Sequence, residues 1–339
     1  MHRSLRTARL LAAGAAAAVL ACPAIGSATP VIVDLAPGSD GAAVAASVGA
    51  VPEVVFTESG AGFAADVTPA QRARLQRAGV VTAVTEDRIV AHISARGAPL
   101  PEQPAQVVRS AQRRVGLLES RTADVDGRDD RRVDVDIAIF DTGIDPRHPD
   151  LDVVGGVDCA VGRGWDDVEY HGTMVAGFAG ALDNTIGIAG IAPGARLWSV
   201  RVADANGAIT NSAWRCGLEW LNRHAKKIEV ANWSFGDGDP MMGPCGVVGG
   251  RVVEKLHSLT CKAVDAGVTI VAAAGNESVD VGLVSPGAWP EVITASAVAE
   301  TDGLPGGLGP VSSCFPDQRD DAFAFFSNFG PAGDIAAPG

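Results

Sequence analysis

From residue 133 to residue 297 the chain alternates short apolar runs with segments of helical spacing, and this alternation constrains the fold more than any other feature. Residues 133–140 form a near-continuous apolar run, the pattern of a strand buried on both faces. Helix is predicted over 171–181, 212–223 and 252–266, and strand over 197–202, 228–233, 269–274 and 292–297. Strands interleaved with helices predict an α/β fold with a doubly wound, mostly parallel sheet. In such sheets functional residues gather beyond the carboxyl ends of the strands. With 47% hydrophobic but only 5% aromatic residues, the core is expected to rest on Ala, Val, Ile and Leu.

A smaller α+β unit precedes this region. It is predicted to hold strands at 31–33, 53–57 and 80–90, a helix at 42–48, and a second helix capped by Thr68, running to Arg77 and stopped by Gly79. Residues 96–130, rich in Arg, Gln, Pro and Asp, read as a linker and processing region. The first 28 residues have a basic start (Arg3, Arg6, Arg9), an apolar run at 10–20 and the small residues Gly26, Ser27 and Ala28. This is the pattern of a secretory signal peptide, too short to span a bilayer. A lipoprotein box at Val19-Leu20-Ala21-Cys22 fits less well, because Leu20 precedes Ala21. A secreted, extracellular protein with no membrane segment in its mature form is therefore expected. The formal net charge of -13 argues against nucleic acid, whose phosphates would be repelled.

Of six cysteines, Cys22 lies in the leader, leaving Cys159, Cys216, Cys245, Cys261 and Cys314. Export permits disulfides, and the odd count leaves one thiol over or one partner outside. Cys245 with Cys261 is the first pairing to consider, though spacing alone leaves the pairing open. The cysteine spacings do not resemble a zinc site.

Three short segments carry chemistry. Asp141 closes the first strand of the α/β region, in Asp141-Thr142-Gly143-Ile144-Asp145, where a partly buried carboxylate can orient an imidazole. His171 opens the next helix, followed by Gly172 and by small residues that allow close helix–sheet packing. Asn276 follows Ala272-Ala273-Ala274-Gly275, where an amide can donate a hydrogen bond into a cleft. Singly, each has an ordinary explanation as a turn, a helix start or a strand end.

Taken in order, Asp141-Thr142-Gly143-Ile144-Asp145, His148-Pro149-Asp150-Leu151, His171-Gly172-Thr173 and Ala272-Ala273-Ala274-Gly275-Asn276 resemble the subtilisin family over about 133–339. The chain order Asp, then His, then Ser is that of subtilisin. The resemblance implies a serine endopeptidase in which Asp141 orients His171, His171 is the general base and Asn276 stabilises the oxyanion. It implies a substrate-binding cleft lined by Ser234, Phe235 and Gly236 on one side and Gly207 on the facing edge, with Ala274 and Gly275 also among the substrate-binding residues. An extended polypeptide would pair there as an added strand. Glu277 and Val284 match positions near the primary specificity pocket, with Val284 limiting its depth. Residues 182–188 resemble the family's calcium loop, with ligands expected from Asp150, the Asn184 side chain and the carbonyls of Leu182, Ile186 and Ile188; oxygen-only ligation suits calcium. Residues 29–95 are similar to the inhibitory propeptide of these proteases, making a zymogen with its own propeptide as intramolecular inhibitor, cleaved between His92 and Gln112. The domain is then 131–339, and a monomer is expected.

The family's nucleophile stands in a Gly-Thr-Ser motif after an Ala-Pro-Gly segment. Here Ala337-Pro338-Gly339 matches the approach, and the only Gly-Thr pair is Gly172-Thr173. Ser234, in Asn232-Trp233-Ser234-Phe235-Gly236, lacks the first glycine of a nucleophile elbow. The chain is thus expected to be a fragment that stops short of its nucleophile. By itself it would be inactive, since removing that serine from subtilisin costs about a million-fold in turnover. The competing expectation is a catalytically dead homologue that binds peptides or inhibits without cutting.

Overall fold

The computed structural model describes residues 27–93, 105–160, 162, 164–236, 238, 245, 252–311 and 315–339. All but the last two residues of the segment expected to be a signal peptide lie outside these, as do Cys22 and Cys314.

The N-terminal unit holds β1 (Thr29–Leu35), α1 (Gly41–Val48), β2 (Val54–Phe56), β3 (Gly62–Val67), α2 (Pro69–Leu75) and β4 (Val81–Glu86). Its four strands form an antiparallel sheet in the order β2-β3-β1-β4. Asp40 caps α1, and Thr68 with Gln71 forms a reciprocal capping box on α2. Val31, Val33, Phe63, Ala65 and Leu75 close a core of their own. The single strand expected over 80–90 is two. β4 pairs with β1, the chain turns at Asp87 and Arg88, and β5 (Ile89–His92) pairs with a different sheet.

The second region contains α3 (Ser110–Arg114), β6 (Asp136–Asp141), β7 (Val153–Asp158), α4 (His171–Gly180), β8 (Arg196–Arg201), β9 (Ala208–Thr210) and α5 (Asn211–His224). After these come β10 (Val230–Trp233), α6 (Val252–Asp265), β11 (Thr269–Ala273), β12 (Ile293–Val298) and β13 (Ile335–Pro338). Seven strands build one sheet in the order β13-β12-β11-β10-β6-β8-β7, with every pairing parallel. The expected doubly wound α/β architecture is therefore present. β6 lies within it and is buried along its whole length. Because successive side chains point to opposite faces, Ile137 and Ile139 pack with Ala176 of α4 and Leu197, while Ala138 and Phe140 join Trp214 and Leu218 of α5 and Leu256 of α6. Five of the six tryptophans, Trp198, Trp214, Trp220, Trp233 and Trp289, gather on that second face. Trp214 stacks on Trp289 at 5.6 Å and meets Trp233 and Phe235 edge-on.

The stretch read as a linker is structured from residue 105 onward. Leu117 and Ala123 are buried with Ala189, and the Gln112 side-chain amide donates to the Ala189 carbonyl. Apolar residues spaced among the charges give this arm enough burial to lie flat on the domain. Among the described residues there are two disulfides, Cys245–Cys261 and Cys159–Cys216; the second ties the end of β7 to α5.

Candidate active site

Asp141 ends β6, Ser234 follows β10 and Gly275 follows β11. These three strands are adjacent and parallel, so the sheet delivers all three residues to one carboxyl edge. α4 starts at the same edge. His171 Nδ1 lies 2.8 Å from Asp141 Oδ1 and 3.0 Å from Oδ2. Asp141 is fully buried and also accepts the Thr142 amide at 2.8 Å. Burial alone pulls the His171 imidazole down, but the Asp141 hydrogen bond and charge, helped by Glu169 and Asp167, hold it above the ordinary histidine value.

The close approach of α4 to β6 depends on Gly172. A Cβ there would stand 2.0 Å from the Gly143 carbonyl oxygen and 3.0 Å from the Asp141 Cβ. Asp167, which the sequence pattern does not single out, holds the same corner. Its Oδ1 accepts from Thr142 Oγ1 and from the Glu169 and Tyr170 amides, and its Oδ2 from the Thr173 amide and hydroxyl. The Thr142 hydroxyl in turn accepts the Gly172 amide at 2.9 Å. One side chain thus joins the turn after Asp141 to the first turn of the histidine helix. An Asp a few residues ahead of a helix start was the available signal.

At the carboxyl ends of β10 and β11, neighbours of β6, lies a cleft of about 470 Å³ lined by Ser234, Phe235, Gly236, Ala273, Gly275, Asn276 and Glu277 on the sheet side, with Asp141 and His171 outside its lining. Residues 89–92 form the remaining wall. Asn276 is exposed on this lining, whereas Ala274 is buried beneath it and Ala273 takes the lining position. Val284 is buried against Gly236. Gly207 sits apart, at the turn into β9, where its carbonyl accepts the Ile93 amide at 2.7 Å. β5 pairs antiparallel with β9, Ala91 opposite Ile209 and His92 opposite Ala208. The cleft's edge is therefore already occupied by an extended segment of the same chain. Asn328, not singled out from sequence, is fully buried. It braces the floor by donating to the Ala274 carbonyl and the Glu277 carboxylate and accepting the Glu277 and Val279 amides.

The expected calcium residues come together in part through their side chains. Asp150 is 2% exposed, and among the described residues no basic side chain pairs with it. Asn184 Nδ2 donates to Asp150 Oδ1 at 2.7 Å, the Ile188 amide faces Oδ2, and burial pushes the carboxyl up to about 6. The loop closes on itself through the Ile186 amide, which donates to Asn184 Oδ1. Gln106 also reaches this loop, accepting the Asn184 amide and donating to Asp183. Its distance in sequence, 78 residues, gave no local signal. A buried carboxylate with no basic partner among the described residues, in a loop rich in oxygen donors, fits a hard divalent cation.

The N-terminal unit meets the domain through charge. Arg215 of α5, 1% exposed, donates to Asp34 Oδ1 at 3.0 Å and Ser59 Oγ at 2.7 Å and lies 3.7 Å over the Phe56 ring. Glu219 accepts the Thr57 and Ser59 amides and the Ser59 hydroxyl. Lys255 and Lys262 of α6 reach Asp34 and Glu58. Asp87 accepts the Ser212 amide at 3.0 Å in the first turn of α5.

Residues 133–339 match the model described as the subtilase family. Subtilisin DY of Bacillus licheniformis is 33% identical over 206 residues, 60% of this chain and 64% of that protein. Subtilisin E of Bacillus subtilis (strain 168) is 35% identical over 211 residues, 60% of this chain and 46% of that one. The chain thus spans between about half and two thirds of the length of these relatives. A solved structure described as a cold adapted subtilisin-like serine proteinase aligns over 64% of this chain and 71% of its own, at 23% identity and a TM-score of 0.44.

Proposed function

The chain belongs to the subtilase family, and from that premise we propose that it carries the orienting and proton-transfer half of a serine endopeptidase centre. The observation behind this reading is the 2.8 Å contact between His171 and Asp141 at a sheet edge whose cleft already holds an extended strand. With Nδ1–H donated to Asp141, the imidazole leaves Nε2 to take the proton of a serine hydroxyl, and the buried carboxylate stabilises the imidazolium that results. The surrounding negative charge favours that cation. Asn276, at the rim after β11, is the donor for the developing oxyanion. A polypeptide substrate lies along β9 and residues 234–236 as an added strand, with Val284 limiting the primary pocket to apolar or moderate side chains.

On this reading residues 29–95 are the protein's own inhibitor, because β5 takes the edge position that a substrate strand would use. The protein is exported, is held as a zymogen and works as a monomer. Asp150 and Asn184, with the carbonyls of Leu182, Ile186 and Ile188, hold a structural calcium ion. The 339 residues contain no Gly-Thr-Ser segment, and none of their serines takes the nucleophile's role in this proposal.

A fluorophosphonate probe, which labels activated serines, tests the proposal. The 339-residue chain should stay unlabelled. A form extended by its continuing codons should label once the N-terminal unit is removed, and His171→Ala should abolish the label. Labelling of the 339 residues at Ser234, or none in the extended form, would overturn it; a stop codon after Gly339 would favour a non-cleaving peptide binder.

A further inference from the structure

We infer that Cys245, Cys261, His257 and Glu291 form a zinc site when the two cysteines are thiols, and that closing their disulfide switches this site off. One ligand atom from each of the four residues lies within 4.8 Å of the other three. They arrive from three separate parts of the chain: Cys245, helix α6, and Glu291 two residues ahead of β12. The sequence spacing of the cysteines alone gave no such signal, because His257 and Glu291 enter only through the fold.

The donors match tetrahedral zinc in kind, and their spacing comes within reach of it once the disulfide opens and the two sulfurs move apart. Zinc takes thiolate sulfur at about 2.3 Å and imidazole nitrogen or carboxylate oxygen at about 2.0–2.2 Å, which sets neighbouring ligand atoms about 3–4 Å apart. His257 Nε2 and Glu291 Oε2 already face each other at 2.9 Å. His257 and Cys261 are four residues apart on α6, so they share one face of the helix. The Cα atoms of Cys245 and Cys261 are 5.7 Å apart, close enough for two thiolates to share one ion. The site is shielded: His257 is 2% and Cys261 5% exposed, and the imidazole stacks on Trp289 at 4.7 Å. The Cys245 amide donates to Glu291 Oε1 at 3.0 Å, which orients the carboxylate from behind.

The chemistry balances with a thiol or phosphine reductant. Two electrons and two protons convert the disulfide to two thiols, and the reductant leaves as its own disulfide or, with water, as a phosphine oxide. Zinc then binds both sulfurs, releasing two protons to solvent. A disulfide oxidant takes two electrons back, forms the S–S bond and frees the ion.

The test uses the full 339-residue chain, reduced by a phosphine under native conditions, with near-UV circular dichroism to follow folding and cobalt(II) as the probe. One cobalt per chain is expected, with the visible bands of a tetrahedral ion and a thiolate-to-cobalt charge-transfer band. Zinc should displace it, and a disulfide oxidant should release it. C159S/C216S should keep the signal, and C245S should lose it. H257Q and E291Q should each weaken binding by at least about tenfold, given that even outer partners of a metal are worth 10–100-fold. The inference fails if the reduced chain loses its fold without taking up metal. It also fails if the cobalt spectrum is octahedral, or if C245S and H257Q bind as tightly as the parent.

Discussion

Replacing Arg215 with methionine removes the cation at the centre of the contact between the N-terminal unit and the domain while keeping most of the side-chain volume. Arg215 is 1% exposed and faces two carboxylates, Asp34 at 3.0 Å and Glu219 at 3.7 Å. Burial pulls its guanidinium below the ordinary arginine value, and those two charges work against the pull. Breaking a buried ion pair on one side costs about 3–5 kcal/mol, because the partner charge stays buried. Here both carboxylates keep other donors, Lys255 for Asp34 and the Thr57 and Ser59 amides for Glu219. The expected cost is therefore at the low end, about 3 kcal/mol, or roughly two orders of magnitude in the opening of the contact.

Native-state hydrogen exchange of the β1 and β3 amides, with urea denaturation of the same chain, reads this directly. The R215M chain should release the N-terminal unit in an earlier transition. Adding D34N should cost less than the sum of the two single changes, with a coupling of about 1–3 kcal/mol. A cost for R215M below about 1 kcal/mol, or additivity within about 0.5 kcal/mol, would refute the view that this buried network locks the unit in place.

Three further outcomes follow from the same geometry. In the intact chain the His171 imidazole should titrate above 6.5 by NMR, so the ion pair's contribution to stability is full below 6.5 for as long as Asp141, itself pushed up by burial, stays ionised, and is lost as pH rises through the raised histidine value. In D141N, where burial dominates, the imidazole should titrate below the ordinary value, and an unchanged titration would break the link between them. Gly207→Ala places a Cβ 1.7 Å from the Ile93 carbonyl oxygen at a φ of +75°, so the β5–β9 pairing should open. Protection of the Ala91 amide that survives the change would contradict this. Calcium at about 100 times its Kd should add about 2.7 kcal/mol, roughly 5–10 °C in Tm, lost with a chelator and absent in D150N. Because burial pushes the Asp150 carboxyl up to about 6, calcium must displace a proton below that pH, and its increment should grow from about pH 5 to about pH 7. An increment independent of pH would place the ion elsewhere.

The elements legible in the sequence were those whose burial imposes a period. The ends of β6, α4, β8, α5, β10, α6, β11 and β12 fall within about three residues of the pattern read from apolar spacing. β7 and β3 escaped because small residues mask their strands. In β7, Gly155 and Gly156 lie against Trp198 and Trp165, where a Cβ would stand 2.7 Å and 2.9 Å from the respective ring, so packing demands residues of low strand propensity. The strand expected over 80–90 divided because the Asp87 side chain turns to the Ser212 amide, 125 positions later, a partner that no local window contains.

The order of residues by itself determined the class of sheet and the arrival of Asp141 and His171 at consecutive strand and helix ends, since period and element order fix which side chains reach a carboxyl edge. Only the tertiary structure decided the rest: Asp167 beneath the His171 turn, Cys159 bound to Cys216, Arg215 locked between units, and His257 and Glu291 beside the second cysteine pair. Each joins groups by complementary charge, hydrogen bonding or volume across distant parts of the chain, and such matches exist only once the chain has closed on itself.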